Sequence, residues 1–244
     1  MRRFCLFLFV FFPAAVLSQD SSTFRYEKVV DGIRLPWGMV LLPDGDMLVT
    51  NRNGELHRVT DSVVSAPLAG VPPVYLNGQS GLLDIELHPD YADNGWLYLS
   101  YASSDGEGEG GNTAIMRARL GANGLTDQEV LYKAVPNTDS RDHFGSRIEF
   151  DNEGYLYFSI GDRYDRDVNP QDVTRDGGKI YRLHDDGRFP DDNPFADRNP
   201  AVFSIGHPRA AGSSGLFRQV LSPEWQGHIA NAPQQVVEGV QLAA

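Results

Sequence analysis

Two residues close together in the chain are suited to proton transfer. His143 stands in RDHFGSRIEF (141–150), directly before an apolar strand, and Asp162 stands in SIGDR (159–163), at the end of the next one. If the two strands are antiparallel neighbours, the start of the first lies beside the end of the second. The two side chains would then meet at one end of a hairpin. A carboxylate bonded to one imidazole nitrogen fixes the tautomer and leaves the other nitrogen free to act as a base. The same pair also reads as a turn histidine beside a solvated aspartate. Asp142 adjoins His143. Gln79, in NGQSGLLDIELHPD (77–90), holds the matching place before an earlier strand, where its amide could donate to a ligand carbonyl or serve its own loop. His88 and Asp90 read as a turn. The acidic, glycine-rich SSDGEGEGGN (103–112) lacks the Asp-x-Asp spacing of an EF-hand loop and reads as a solvated hairpin loop. DRYDRDVNPQD (162–172) either folds over the site or faces solvent. Nucleophile-elbow, phosphate-loop, H-E-x-x-H and dinucleotide motifs are all missing, which argues against a nicotinamide enzyme.

Behind these residues lies a repeat. WGMVLLPDGDMLVTNRNGELHRV (37–59), GLLDIELHPDYADNGWLYLSY (81–101) closed by TAIMRARL (113–120), and GSRIEFDNEGYLYFSIG (145–161) closed by GGKIYRL (177–183) share one order. A glycine and a short apolar strand lead into a turn of Pro, Asp, Asn or Gly. A second strand and a final strand carrying arginine follow. Repeats of this kind predict propeller blades, with a β-sandwich as the alternative. The expected fold is all-β: an incomplete propeller of three to four blades, with a fourth blade starting near Val202 to Gly206.

Composition narrows the partners and the compartment. A net charge of -12 leaves no basic surplus for phosphates, so nucleic acid is not expected. Arg2 and Arg3, an apolar run from Phe4 to Phe12, and small residues before Ser18 predict a signal peptide over 1–18. The protein is therefore expected in the periplasm or outside the cell, with no stable membrane insertion. Cys5, the single cysteine, lies inside that signal, which excludes disulfides and cysteine-based sites in the mature chain. The partial propeller is expected over 24–207, followed by a divergent tail over 208–244 that is helical or disordered.

From about Leu35 to His207 the chain resembles the PQQ-dependent aldose sugar dehydrogenases of the soluble quinoprotein glucose/sorbosone dehydrogenase group. The resemblance is carried by GQSGLLDIELHPDY, RDHFGSRIEFDNEGYLYFSIGDR, NPQDVTRDGGKIYRLHDDGRFPDDNPF and SIGH. It implies a six-bladed propeller holding pyrroloquinoline quinone (PQQ) and calcium. An aldose would be oxidised at C1 to the lactone, with an electron acceptor reoxidising the cofactor. His143 would take the C1 hydroxyl proton as hydride passes to the quinone, and Asp162 would orient His143. Gln79 and Asp142 would contact the cofactor, and no metal-binding residue is expected among these positions. After His207 the family's Arg-Asn-Pro-Gln-Gly run is replaced by Pro208, Arg209, Ala210, Ala211 and Gly212. The family's calcium-holding Gly-Pro segment and later basic residues find no match, so the chain reads as truncated or frame-shifted and its activity as open. Two other functions stay open: a non-catalytic extracellular propeller that binds protein or glycan, and a calcium-dependent lactone hydrolase using Asp142, Asp162 and Asn77.

Overall fold

The computed structural model describes residues 28–207, so the expected signal peptide and the tail from 208 lie outside the described residues. Within them, the chain forms three four-stranded antiparallel sheets, each a meander in sequence order. The first holds β1 (Pro36–Leu41), β2 (Met47–Asn51), β3 (Glu55–Thr60) and β4 (Val63–Val64). The second holds β5 (Leu82–Leu87), β6 (Trp96–Ser103), β7 (Asn112–Gly121) and β8 (Gly124–Lys133), with one short helix, α1 (Tyr91–Asn94), between β5 and β6. The third holds β9 (Ile148–Phe150), β10 (Leu156–Ile160), β11 (Lys179–Leu183) and β12 (Val202–Ile205). These are the blades of an incomplete propeller.

Two expectations about the blades are corrected. Val202–Ile205 does not begin a fourth blade. It pairs with β11, as Lys179↔Ile205 and Ile180↔Ser204, and is the last strand of the third blade. The arginine-bearing segments that seemed to close each unit are third strands, and β8 and β12 lie outside them. The outermost strands β4 and β8 were hard to read because a rim strand has one neighbour and, in these two, little apolar demand. β8 is exposed over residues 126–130, and β4 has only two residues.

Packing between blades follows from strand alternation. Successive residues of a strand point to opposite faces, and the middle blade has a neighbour on each face. On β6, Leu97, Leu99 and Tyr101 enter the seam with blade 1, beside Val40, Leu48 and Leu56. Tyr98, on the other face, enters the seam with blade 3, beside Ile148, Leu156 and Phe158. Both faces of β6 are therefore buried, and the strand reads as a mostly apolar run interrupted by Ser100. Each fully buried side chain of this size contributes about 1.5–3 kcal/mol.

A polar tie repeats at each seam. Thr50, on the second strand of blade 1, accepts the Gly38 N–H at 2.8 Å and donates to the Leu83 carbonyl of blade 2 at 2.6 Å. Ser100, at the same place in blade 2, accepts the Asp84 N–H at 2.9 Å and donates to the Ser146 carbonyl of blade 3 at 2.9 Å. Asp84 also crosses this seam, to the Arg147 guanidinium at 2.7 Å and the Ile148 N–H at 2.9 Å. These bonds fix where β9 begins relative to blade 2, and so set the position of the loop that carries His143.

Candidate active site

β9 and β10 are antiparallel, with Ile148 opposite Phe158. The residues before β9 and after β10 therefore share one end of the third blade. There His143 Nδ1 lies 2.5 Å from Asp162 Oδ1. Asp162 is 1% exposed and the His143 side chain 20% exposed, so the carboxylate is sealed in while the imidazole keeps a wet edge. The Asp162 carboxylate is directed as well as buried, because Oδ1 also accepts the Tyr164 N–H at 2.9 Å. With Nδ1 donating to Asp162, Nε2 carries the lone pair and is the basic atom.

Gln79 comes from the loop before β5, the equivalent position of the neighbouring blade. Its backbone N–H donates to the Arg141 carbonyl at 2.7 Å, and its side-chain oxygen accepts the His143 N–H at 3.1 Å. The two loops pack so closely that a Cβ at Gly78, which has φ +65°, would collide with the Arg141 carbonyl. Gln79 is exposed. Gly161 meets the same demand on the other side, where an added Cβ would lie 2.5 Å from the His143 carbonyl oxygen. The structure thus brings His143, Asp162 and Gln79 together. Asp142 sits next to them, half-buried, with its carbonyl accepting from Arg163.

Arg163 has no counterpart in the sequence reading. It is 3% exposed, and its guanidinium lies 3.4 Å from the centre of the Phe144 ring. It donates to the Asp142 carbonyl, to the Ser140 carbonyl at 2.9 Å, to Thr138 Oγ1 at 3.2 Å and to the Gly111 carbonyl at 3.3 Å. The residue after Asp162 therefore clamps the segment leading into His143. Burial pulls the Arg163 guanidinium down to about 10, so it stays charged at neutral pH.

Segment 162–172 folds back on the site. Asn169 Nδ2 donates to the Asp162 carbonyl at 3.0 Å. Lys179, 0% exposed at the start of β11, donates to the Asn169 and Gly177 carbonyls. Burial pushes Lys179 down to about 8. His207 lies at the same end, 2.8 Å from Ser204 Oγ, and is lowered to about 4 by burial and then by the Lys179 charge. Arg163 and Lys179 stand among other charged residues, in DRYDRD (162–167) and RDGGK (175–179). Nothing in the sequence showed that backbone carbonyls would receive them.

The remaining candidates are placed elsewhere or otherwise engaged. Asn77 donates to the Tyr75 hydroxyl at 3.0 Å. His88 Nδ1 accepts the Asp90 N–H at 2.9 Å in the turn that opens α1. SSDGEGEGGN bridges β6 and β7 as a hairpin loop, with the Asn137 amide donating to the Ser104 and Asp105 carbonyls at 3.1 Å. Among the described residues, no group of three or more His, Cys, Asp or Glu is placed to hold a metal ion. No helix among them is long and apolar enough to cross a membrane.

Comparison with known proteins agrees with this fold. A family model described as Glucose / Sorbosone dehydrogenase matches residues 33–218. The aldose sugar dehydrogenase YliI of Escherichia coli K12 is 39% identical over 188 residues, covering 75% of this chain and 50% of that protein. The solved apo-form of the soluble aldose sugar dehydrogenase from Escherichia coli superposes with a TM-score of 0.66 at 38% identity, covering 73% of this chain and 52% of that one. The PQQ-bound aldose sugar dehydrogenase of Streptomyces coelicolor gives 0.64 at 32% identity, covering 74% and 53%. The chain spans about half the length of the curated relatives it matches.

Proposed function

The chain belongs to the glucose/sorbosone dehydrogenase family, and from that membership we propose that it carries the proton-abstracting part of a PQQ-dependent aldose dehydrogenase. The observation that carries the proposal is the 2.5 Å contact between His143 Nδ1 and the buried Asp162 carboxylate. PQQ, when bound, supplies the acceptor for the C1 hydride.

This chain's own contribution is to the proton. Nε2 of His143 takes it from the C1 hydroxyl of the sugar, and the positive charge formed on the ring faces the Asp162 carboxylate through Nδ1. Because Asp162 is sealed from water and held by the Tyr164 N–H, its attraction for that charge is stronger than it would be in solvent. General-base catalysis of this kind contributes about 10²–10⁴-fold. The product is the lactone.

The donors present suit part of the cofactor. The amide of the exposed Gln79 suits a quinone oxygen, and Asp142 follows in the loop that Gln79 contacts. The PQQ carboxylates call for cations, and Arg163 is already engaged by four oxygens of its own chain. Calcium is proposed on the resemblance alone. The proposed setting is the periplasm or the extracellular medium, with an aldose as substrate and a separate electron acceptor.

The test is dye-coupled aldose oxidation by the purified chain supplied with PQQ and calcium, beside His143→Ala. PQQ-dependent turnover that falls at least 10²-fold in the variant is the expected result. Equal turnover in both chains would remove His143 from the reaction.

A further inference from the structure

Tyr164 touches both members of the pair, through different atoms. Its ring stacks on the His143 imidazole, with centroids 4.7 Å apart and planes inclined by 10°. Its backbone N–H donates to Asp162 Oδ1, the same oxygen that receives His143 Nδ1. It reaches this position only because the chain turns through left-handed backbone at Arg163 (φ +55°) and Tyr164 (φ +66°). Such conformations are uncommon for residues with a Cβ and persist where the surroundings impose them. Here the buried Arg163 clamp imposes the turn. Packing does not demand the Tyr164 ring, since the residue is 62% exposed. An exposed tyrosine held in unfavourable backbone, lying flat on an imidazole, has little structural reason to be there.

We propose that Tyr164 is a positioning residue for the reaction. Its ring holds the His143 imidazole in the plane of the Asp162 hydrogen bond and offers its π face to the cation that His143 becomes. The inference rests on the reading of His143 as the base. An imidazole bonded through Nδ1 alone can still swing about that bond. A ring stacked on one face removes that freedom, so Nε2 stays directed at the substrate hydroxyl. The same face stabilises the imidazolium by cation–π attraction. The sugar is thereby confined to the uncovered face and the Nε2 edge.

Proton NMR of the intact chain, without PQQ, calcium or sugar, tests this directly. The Nδ1 proton held between His143 and Asp162 should appear downfield of the amide protons and should vanish in His143→Gln. Tyr164→Phe keeps the ring and should keep that resonance. Tyr164→Asn tolerates the left-handed backbone but has no ring. Its Nδ1 proton should exchange with water about tenfold faster or broaden beyond detection, while the rest of the spectrum stays folded. If the parent oxidises aldoses, Tyr164→Asn should lower kcat about tenfold with KM within about twofold, and Tyr164→Phe should restore it. An unchanged resonance and exchange rate in Tyr164→Asn overturns the proposal, as does a parent with no protected imidazole proton. A parent that shows the resonance but never oxidises sugar counts against the dehydrogenase reading instead, and the NMR comparison still decides the role of Tyr164.

Discussion

The two ends of the third blade satisfy their buried cations in different ways. At the end holding His143, the charged and titratable groups Asp162, Arg163, Lys179 and His207 are all buried, and the two cations face backbone carbonyls. At the far end, Arg188 pairs with Asp186 in the open at 2.7 Å. Arg182 stacks on Tyr155 and Phe203 and reaches the exposed Asp192. Burying a charge is costly unless every polar atom finds a partner. The downward shifts of Arg163, Lys179 and His207, with burial the first cause in each, are the sign of that cost. A fold accepts it where side chains must be held in place. At the far end Arg182 is also buried, but it is answered by the Asn193 side chain and the exposed Asp192 carboxylate, not by backbone carbonyls.

Breaking the clamp should have the largest effect. Arg163→Met would leave the Asp142, Ser140 and Gly111 carbonyls and Thr138 Oγ1 without their donor. At about 1–3 kcal/mol for each buried group left unpaired, partly relieved by local relaxation, the expected loss is roughly 3–5 kcal/mol by urea denaturation. A loss below about 1 kcal/mol would mean that the segment before His143 is held by other contacts.

His207 comes next. The unfolded chain takes up its proton as pH falls below about 6.5, and the folded chain only near 4. Between those values the unfolded state binds more protons, so stability falls as pH drops through that window and is fully present above it. The loss expected from this residue is ~3 kcal/mol across the window, and His207→Gln should flatten that part of the stability–pH curve. An unaltered acid slope in the variant would show that other groups set it.

The smallest effect belongs to the far end. Arg188→Ala removes a solvent-exposed ion pair and should not shift the urea midpoint measurably, because such pairs are offset by side-chain entropy and screening. A clear shift there would blur the contrast between the two ends.

How far the sequence could be read follows the same division. The strand–turn–strand repeat was legible because β6 and β10 are buried on both faces and read as largely apolar runs, interrupted by Ser100 and Ser159. That alone put His143 beside Asp162, since antiparallel pairing dictates it once the strands are placed. Gln79 followed from its repeat-equivalent position. The outer strands β4 and β8 were not legible, because their rim positions carry little apolar demand. β12 was misplaced because the long 184–201 connection separates it from β11, and an apolar strand after such a gap looks like a new blade. Arg163 and Tyr164 were hidden in a mixed-charge stretch. Their roles depend on left-handed backbone and on carbonyl acceptors contributed by residues 111–142, and local composition encodes neither.

The central claim is that His143 and Asp162 act as one unit, a base and its orienting carboxylate. Steady-state oxidation of an aldose with PQQ and calcium by His143→Ala, Asp162→Asn and the double variant tests it most directly. Asp162→Asn should lower kcat about 10²-fold or more, and the double variant should be no slower than His143→Ala alone, because residues that act together are not additive. If Asp162→Asn turned over at the parent rate, or if the two losses simply multiplied in the double variant, the pair would not be the unit proposed.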